Sequence, residues 1–303
     1  MPIHPLGSNA VKQHGLSQTT SSNIRTQEPT KLPRHREGLK KTASPNPLAH
    51  SQAAHSMRNQ FIAGAGAGIL SRGLIENTFG TVATNIASNN PIAIRSILSA
   101  MPLGLSMVPF QRGFQNTAEA KVNHIAQENG LSPNARHLIS GMAAGLAGSI
   151  MQPFQVATIL RGAGLLKRED GNPHLHLAQH APKTYSAGLY AMIGFRLTEA
   201  SINWGLKRTL EDKLTENTPG RSLLVNAAPG LAAGILPTPF YNIMATQIQH
   251  QFSQGEAISI WQALEQMCIK RVMKATMVWG VTGGVAWTFY NFVNNIINDA
   301  LSK

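Results

Sequence analysis

The stretch "LISGMAAGLAGSIMQPFQVATIL", from Leu138 to Leu160, carries no formal charge over its whole length. A helix needs about 20 predominantly apolar residues to cross the hydrocarbon core of a bilayer. Two further uncharged runs follow, at residues 222–249 and 275–298. The three runs therefore predict membrane-spanning helices and an all-α fold.

Three more apolar segments alternate with these runs, and we number all six in chain order as segments 1 to 6. The six predicted segments cover approximately residues 58–80, 91–121, 134–161, 184–212, 221–250 and 272–300. Charges interrupt segments 1, 2 and 4, and they belong to Arg72 and Glu76, to Arg95 and Arg112, and to Arg196 and Glu199. Since a charge within a membrane helix is costly, it usually faces the bundle interior or a water-filled cavity. Segments 1, 2 and 4 are therefore predicted to line such a cavity.

The composition agrees with packed membrane helices and points to an anionic partner. Only 13% of the residues are charged, and the chain contains 27 glycines. Mean hydropathy is nevertheless only −0.09. The formal net charge of +12 suits an anionic solute or an anionic lipid such as cardiolipin. Nucleic-acid binding is disfavoured, because the Lys and Arg residues are scattered between apolar segments rather than gathered on one face.

Residues 1–56 differ from the rest of the chain. They are rich in Ser, Thr, Pro, Gln and His, and they carry seven Lys and Arg residues against two acids, Glu28 and Glu37. This composition predicts a disordered basic arm, either a solvated tail or a transit peptide. The predicted domains are thus the arm, residues 1–56, and a six-helix membrane domain, residues 57–303.

Neither a metal site nor an active site is predicted. Cys268 is the only cysteine, which excludes an intramolecular disulfide and a Cys-based zinc site, and we expect it to be a small core residue. His174, His176 and His180 lie close together, but no carboxylate or cysteine completes a ligand set. No combination of nucleophile, base and oxyanion donors is evident. We therefore expect no enzyme activity and no cofactor.

A small-residue pattern recurs in alternate segments. Gly-x-x-x-Gly stands in segment 1 at Gly64 and Gly68, in segment 3 at Gly141 and Gly145, and in segment 5 at Gly230 and Gly234. Two such glycines on one helix face allow another helix to approach closely. The recurrence predicts three repeats of a helix pair.

Residues 58–301 resemble the mitochondrial carrier family. "FIAGAGAGILSRGLIENTFGTV", Phe61 to Val82, is similar to the family's first helix, with Ser71-Arg72 matching its Ser-basic pair. The family signature P-x-[DE]-x-x-[KR] ends each odd helix. Asn77 stands at the proline position in segment 1, whereas Pro153 and Pro239 are kept in segments 3 and 5. The resemblance implies six tilted membrane helices in three pseudo-symmetric pairs, with kinks at the prolines.

The chain departs from the family at the charged positions of both gates. Gln155 and Tyr241 replace the acids after the two prolines, and neutral residues also replace the bases. In the second gate motif, [FY]-[DE]-x-x-[KR] of the even helices, Gln115 and Asn291 stand where the family has acids. Segment 4 has Arg208 and Glu211 with the charge order reversed. The gates are therefore expected to be weakened or abandoned, with neutral hydrogen bonds in place of ion pairs.

The resemblance also implies a set of solute-binding residues. They are Arg72, Gln111, Arg196, Glu199 and Trp279. Structural alternatives remain: a helix-face pair of Arg72 with Glu76, an ion pair of Arg196 and Glu199 that holds the bundle together, and a space-filling Trp279.

Two functions follow as expectations. The first is a monomeric transporter that moves a small anionic solute, of the nucleotide or carboxylate class, by alternating access. The second is a carrier-like membrane scaffold, insertase or adaptor that no longer transports. Either is expected in the mitochondrial inner membrane, that of a host cell if a bacterium delivers the protein. A soluble helical protein is a third interpretation, and it would have to bury the uncharged runs elsewhere.

Overall fold

A computed structural model describes the backbone of residues 47–302. The side chains of residues 56–302 are described except those of Arg72, Leu74, Glu76, Asn77 and Arg168. The part of the chain so described is helical and contains no strand, which confirms the all-α prediction. The predicted disordered arm falls mostly on residues 1–46, which lie outside the described residues.

Long helices stand at all six predicted positions. Segment 1 consists of Pro47–Gly68, a π-helical turn Ile69–Gly73 and Leu74–Ala87. Segment 2 is Ile94–Glu128, and segment 3 is Pro133–Ser149 with Gln152–Gly162. Segment 4 consists of Leu189–Ala200, a π-helical turn Ser201–Leu206 and Lys207–Lys213. Segment 5 is Arg221–Ile235 with Thr238–Gln254, and segment 6 is Ile269–Leu301. The shorter helices of the connections are Arg168–Asp170, Pro173–His180, Pro182–Tyr185 and Ile260–Gln266.

Several boundaries differ from the sequence prediction, and segments 1 and 2 end at Ala87 and Glu128, seven residues later than predicted. Segment 1 begins at Pro47, so residues 47–56 belong to a helix and not to the arm. Proline is favoured in the first turn of a helix, and neither glycine nor a second proline interrupts the residues that follow. Segment 4 begins at Leu189, later than predicted, because Gly188 precedes it with a φ of 70°, which a right-handed helix does not allow.

The Gly-x-x-x-Gly pairs bring neighbouring segments into backbone contact. A Cβ added to Gly64 would lie 2.5 Å from the Arg112 carbonyl oxygen, and one added to Gly145 would lie 2.6 Å from that of Arg196. A Cβ on Gly234 would lie 2.3 Å from the backbone nitrogen of Gly284. The close approach predicted for these glycines is thus observed between segments 1 and 2, 3 and 4, and 5 and 6. A side chain at any of these positions would push the two helices apart.

The six segments form a closed ring. Each segment packs against the one before it and the one after it in the chain, and segment 6 packs against segment 1. The second halves of the odd segments, Leu74–Ala87, Gln152–Gly162 and Thr238–Gln254, also contact one another. These three helices therefore converge and close one end of the ring.

The convergence depends on breaks in the odd segments. The two helices of segment 3 meet at an angle of 63°, with Pro153 in the first turn of the second helix. Segment 5 is interrupted between Ile235 and Thr238, with Pro239 in the first turn that follows. Proline has no N–H to donate and restricts the turn before it, so it favours a break at this place. Pro153 therefore lies at a predicted bend, while Pro239 lies just after a break in its segment.

The ring has apolar residues on its outside and polar residues in its interior. Met273, Met277, Val281, Val285 and Phe289 recur every four residues on the exposed face of segment 6. On the other segments, exposed apolar side chains include those of Ile62, Leu98, Phe110, Leu138, Leu146, Ile150, Leu223 and Leu231. Such continuous apolar exposure marks a surface that contacts lipid or another protein.

Membrane spans are less evident from hydropathy alone. Among the described helices, residues 221–254 of segment 5 are long and apolar enough to cross a bilayer, with a mean hydropathy of 1.3 over an 18-residue window. Segment 3 qualifies as well if its two bent halves are taken as one span. The other four segments do not pass this test, so the fold is all-α with one or two candidate spans.

Candidate functional site

A buried carboxylate shared by two guanidinium groups lies inside the ring. Oε2 of Glu199 is 2.6 Å from Nη1 of Arg196, and Oε1 of Glu199 is 3.6 Å from Nη2 of Arg112. The side chains of these three residues are at most 1% exposed. Arg196 and Glu199 stand one turn apart in segment 4, and Arg112 comes from segment 2. The ion-pair cluster therefore joins two segments and excludes water.

Each guanidinium group also donates to a glutamine. Nη2 of Arg196 donates to Oε1 of Gln155 at 2.9 Å, which links segment 4 to segment 3. Nη1 of Arg112 donates to Oε1 of Gln115, one turn further along segment 2. Each arginine thus meets one oxygen of the shared carboxylate and one neutral amide oxygen.

Trp287 connects segment 6 to the same cluster. Its indole Nε1–H donates to Oε1 of Glu199 at 2.9 Å. The guanidinium carbon of Arg112 lies 4.3 Å from the centre of the Trp287 ring, which is the geometry of a cation–π contact. Segments 2, 3, 4 and 6 therefore all contribute to one site, which we call the Arg112–Glu199–Arg196 site.

A small void lies beside this site. Its volume is about 20 Å³, and it is lined by Arg196, Gln155, Tyr241, Trp279 and other residues. Such a void has room for about one water molecule. Tyr241 and Trp279 stack with their ring centres 4.8 Å apart, and a Cβ added to Gly80 would lie 2.2 Å from the Trp279 ring. The stack thus fills the space between segments 1, 5 and 6.

The even segments repeat their polar residues at a spacing of 88 positions. The spacing gives three sets, which are Gln111, Glu199 and Trp287; Gln115, Asn203 and Asn291; and Glu119, Lys207 and Asn295. The pairs 199–287, 203–291 and 207–295 are hydrogen-bonded, and each pair is 88 residues apart. Equivalent positions of the even segments therefore meet inside the ring.

The second set forms a neutral amide cluster. Nδ2 of Asn203 donates to Oδ1 of Asn291 at 3.2 Å, and Nδ2 of Asn291 donates to Oδ1 of Asn203 at 3.0 Å. Nδ2 of Asn291 also lies 3.2 Å from the carbonyl oxygen of Asn226 in segment 5. Nearby, Nδ2 of Asn116 donates to the Gln60 carbonyl at 2.7 Å and joins segment 2 to segment 1. Amide hydrogen bonds therefore close the ring on this side of the Arg112–Glu199–Arg196 site.

Beyond the amide cluster, the even segments form ion pairs again. Nε and Nη2 of Arg208 lie 3.2 and 3.3 Å from the two carboxylate oxygens of Glu119. Nη1 of Arg208 is 3.4 Å from Glu211, so the reversed charge pair noted in the sequence forms within segment 4. At the opposite end, Nδ2 of Asn85 donates to the Gly162 carbonyl at 3.0 Å. The site is thus closed toward both ends.

Most sequence-predicted site residues come together here. Glu199, Arg196, Gln115 and Gln155 form the site itself, while Trp279 and Tyr241 line the adjoining void. Gln111 is buried, and its Nε2 donates to the Gly148 carbonyl at 3.1 Å, so it bridges segments 2 and 3. Asn291 pairs with Asn203. The side chains of Arg72 and Asn77 lie outside the described residues, so their predicted roles stay predictions.

Two members of the site are not predicted from the sequence. Arg112 is evident only as a charge within segment 2, and no sequence motif singles out Trp287. The spacing of 88 residues indicates Trp287, because it places this residue opposite Glu199. Arg112 precedes Gln115 by one helical turn, and so it lies on the same face of segment 2.

Cys268 is exposed and does not belong to the core, which corrects the expectation from the sequence. It is the residue just before segment 6, where the chain leaves a connection. Backbone N–H groups of Arg271 and Lys270 hydrogen-bond to the sulfur and hold the pKa of the thiol below its usual value. His176 and His180 stack on each other, and among the described residues no group of three His, Cys, Asp or Glu is placed to hold a metal ion.

A broad groove opens on one side of the ring where segment 2 begins and segment 3 ends. Its volume is about 720 Å³, and Arg95, Arg161 and Lys167 line it together with Glu169 and apolar side chains such as Leu98. Three basic groups against one acid favour an anionic occupant.

Comparisons with known proteins do not show to which family the chain belongs. No protein-family model matches the chain, and no curated protein matches it. The site's chemistry therefore has to be argued from its own residues. Two guanidinium groups that each donate to one oxygen of a shared carboxylate can also bind the oxyanion of a solute, because guanidinium N–H groups match carboxylate and phosphate oxygens in both charge and geometry.

Proposed function

We propose that this protein is a multi-pass membrane transporter that moves a small anionic solute by alternating access at the Arg112–Glu199–Arg196 site. One observation carries the proposal. Charged side chains are buried at the centre of a ring of helices, while long apolar side chains face outward from that ring. A soluble protein has the reverse arrangement, whereas a membrane protein keeps its intramembrane charges inside and uses them for function.

Six membrane spans are part of this proposal. The residues that lower the hydropathy of segments 2, 4 and 6 include Gln111, Arg112, Arg196 and Asn291, and all of these are buried inside the ring. Lipid would therefore meet the apolar outer faces and not these groups. The 0.5–1.5 kcal/mol typical of each internal hydrogen bond, together with charge pairing, offsets part of their cost.

The resemblance to mitochondrial carriers supports the finer fold and the location. The closed order of the six segments, the glycine contacts within each successive pair and the breaks before Pro153 and Pro239 agree with a mitochondrial-carrier-like bundle. On this proposal the protein lies in the mitochondrial inner membrane, that of a host cell if it is delivered. The basic groove at Arg95 and Lys167 then fits the headgroup of an anionic lipid.

The site favours an anionic solute of the nucleotide or carboxylate class. Arg112 and Arg196 come from different segments, and both point at the same carboxylate. A solute that binds both guanidinium groups would hold segments 2 and 4 together. Because binding is strongest when both segments are in place, a change in their relative position would release the solute.

Solute exchange in proteoliposomes tests this function. The purified full chain is reconstituted with internal phosphate, ADP or succinate, and uptake of the labelled solute is measured. Saturable exchange of one of them is expected, with at least a tenfold loss in Arg196→Ala. Lys121→Ala is the matched control, because Lys121 is an exposed base away from the site and should exchange as the wild type does. A folded wild type that exchanges nothing, or an Arg196→Ala variant that exchanges normally, would contradict the proposal.

A second function is favoured by the size of the void. The void has room for about one water molecule, so the closed ring has no space for a solute. Each guanidinium group already contacts the Glu199 carboxylate and a glutamine oxygen. This arrangement also suits a carrier-like scaffold, insertase or adaptor that does not transport. Deletion of residues 1–46 separates the two functions, since it leaves the helix that begins at Pro47 intact. A transporter keeps its exchange activity after this deletion, whereas an adaptor that works through the basic arm loses its partners.

A further inference from the structure

The carboxylate of Glu199 has no free oxygen. Oε2 receives Nη1–H of Arg196 at 2.6 Å, and Oε1 receives the indole N–H of Trp287 at 2.9 Å. Oε1 also lies 3.6 Å from Nη2 of Arg112. One carboxylate thus lies between two cations that come from different segments, as the oxyanion of a bound solute would.

Each of the two arginines also donates to a neutral acceptor. Gln155 accepts from Arg196 at 2.9 Å, and Gln115 accepts from Arg112. A neutral acceptor forms a weaker bond with a guanidinium group than a carboxylate does, by about a factor of two. The place of Glu199 is therefore the strongest anion position that the described residues offer.

An additional oxyanion has no room beside Glu199. The adjoining void measures about 20 Å³, which suffices for about one water molecule. A carboxylate or phosphate group can reach Arg112 and Arg196 together only if the Glu199 side chain leaves its position. Because Glu199 contacts both guanidinium groups, displacement of this one side chain would remove its contacts with Arg112 and Arg196 together.

We infer that Glu199 is a built-in competitor that occupies the place of the solute's anionic group, and that a solute bearing a carboxylate or phosphate binds by displacing it from Arg112 and Arg196. This inference rests on the proposed transport function and adds the chemistry of the solute and the regulation of the site. Without solute, Glu199 keeps both arginines paired and segments 2 and 4 linked. With solute, the anionic group takes over both contacts.

Anion binding to the full-length protein tests the inference. Wild type, Glu199→Gln and Glu199→Asp are purified in detergent, and their melting temperatures are measured against rising concentrations of inorganic phosphate, succinate and ADP. A ligand that binds the folded state raises the melting temperature as its concentration passes the dissociation constant. Glu199→Gln has the same size as the wild type but lacks the competing charge. Its half-saturating concentration should be at least tenfold lower than that of the wild type for at least one of these anions.

Two further proteins sharpen the comparison. Glu199→Asp keeps the charge but withdraws it by one methylene, so it should shift the half-saturating concentration in the same direction by a smaller factor. If Glu199→Gln does not fold, the Glu199→Asp variant tests the competitor role of Glu199 by itself. Glu128→Gln removes an exposed carboxylate whose contact is with His124, and it should bind anions as the wild type does.

The outcomes separate this inference from the proposed function. Equal half-saturating concentrations in wild type, Glu199→Gln and Glu199→Asp overturn the competitor role of Glu199, while anion transport stands because the protein still binds anions. A shift of the same size in Glu128→Gln also overturns it, because any loss of negative charge would then suffice. If no anion stabilises any of these proteins and proteoliposomes show no exchange, the transport proposal fails and this inference fails with it.

Discussion

Asn203 and Asn291 lie on segments 4 and 6 and exchange two hydrogen bonds, of 3.2 and 3.0 Å, across the interior of the ring. Both side chains are buried, and neither carries a charge. The two amides therefore satisfy each other without an ion pair.

The amide pair should stabilise the ring independently of ionic strength. Loss of one partner leaves a buried amide unsatisfied and costs about 1–3 kcal/mol, whereas loss of both costs less than the sum of the single losses. We therefore expect a favourable coupling of roughly 0.5–3 kcal/mol in a cycle of Asn203→Ala, Asn291→Ala and the double variant. Thermal melts at low and high salt measure it. Additive single effects, or a coupling that disappears at high salt, would show that the pair does not act in this way.

Removal of Arg112 should destabilise the protein strongly. Arg112→Met keeps much of the apolar side chain but leaves Gln115 without its guanidinium partner and Glu199 with Arg196 alone. Breaking a buried ion pair by removing one partner typically costs about 3–5 kcal/mol. Arg95→Met on the same segment is the matched control, since Arg95 is exposed and its replacement should change the melting temperature little. Equal melting temperatures of the two variants would contradict the assignment of Arg112 to the buried cluster.

Gly234 should not tolerate a methyl group. The added Cβ would lie 2.3 Å from the backbone nitrogen of Gly284 and 2.5 Å from the Gly280 carbonyl oxygen, and backbone atoms cannot move aside cheaply. Gly234→Ala should cost about 1–3 kcal/mol, as overpacking usually does. Gly66→Ala serves as the control, because the nearest atom to its new Cβ is the flexible Cδ1 of Ile297 at 3.1 Å. A melting temperature of Gly234→Ala as high as that of Gly66→Ala would mean that segments 5 and 6 are not in backbone contact.

Cys268 should react quickly with alkylating reagents at neutral pH. Its pKa is lowered by backbone N–H groups at the start of segment 6, so a larger fraction is thiolate at pH 7, and this fraction falls as the pH drops through the lowered pKa. The control is Cys268→Ser with Ser302→Cys, which moves the only cysteine to an exposed position at the other end of the same helix. Iodoacetamide alkylation, followed by mass spectrometry, should be faster at Cys268 than at residue 302. Equal rates at all pH values would contradict the effect of the helix start.

The sequence predicts much of this architecture because its signals are local. Uncharged runs, Gly-x-x-x-Gly pairs and the two prolines placed the helices, their contacts and the bends of the odd segments. The resemblance predicted Arg196 and Glu199 as solute-binding residues and Gln155 and Tyr241 as gate residues. That each of these side chains reaches the same small region depends on the ring as a whole, which single helices do not reveal.

The remaining features depend on long-range contacts. Arg112 could not be paired with Glu199 from local spacing, because the two residues lie on different segments and meet only when the ring closes. Cys268 stands between Met267 and Ile269, so its apolar sequence neighbours do not distinguish an exposed residue from a core residue. The role of Glu199 as a competitor likewise requires the distances to both arginines and the size of the void.

The neutrality of the Asn203–Asn291 pair also bears on the membrane potential. A charge that moves through the whole field gains or loses about 2.3 kcal/mol for each 100 mV. The two amides carry no charge, so their separation in a polarised membrane would be neither driven nor opposed by the voltage to a first approximation. On the proposed membrane function, separation of this pair would therefore depend on the solute and on the packing of segments 4 and 6, and the potential would act on the ring through its charged groups, such as Arg208 and Glu119.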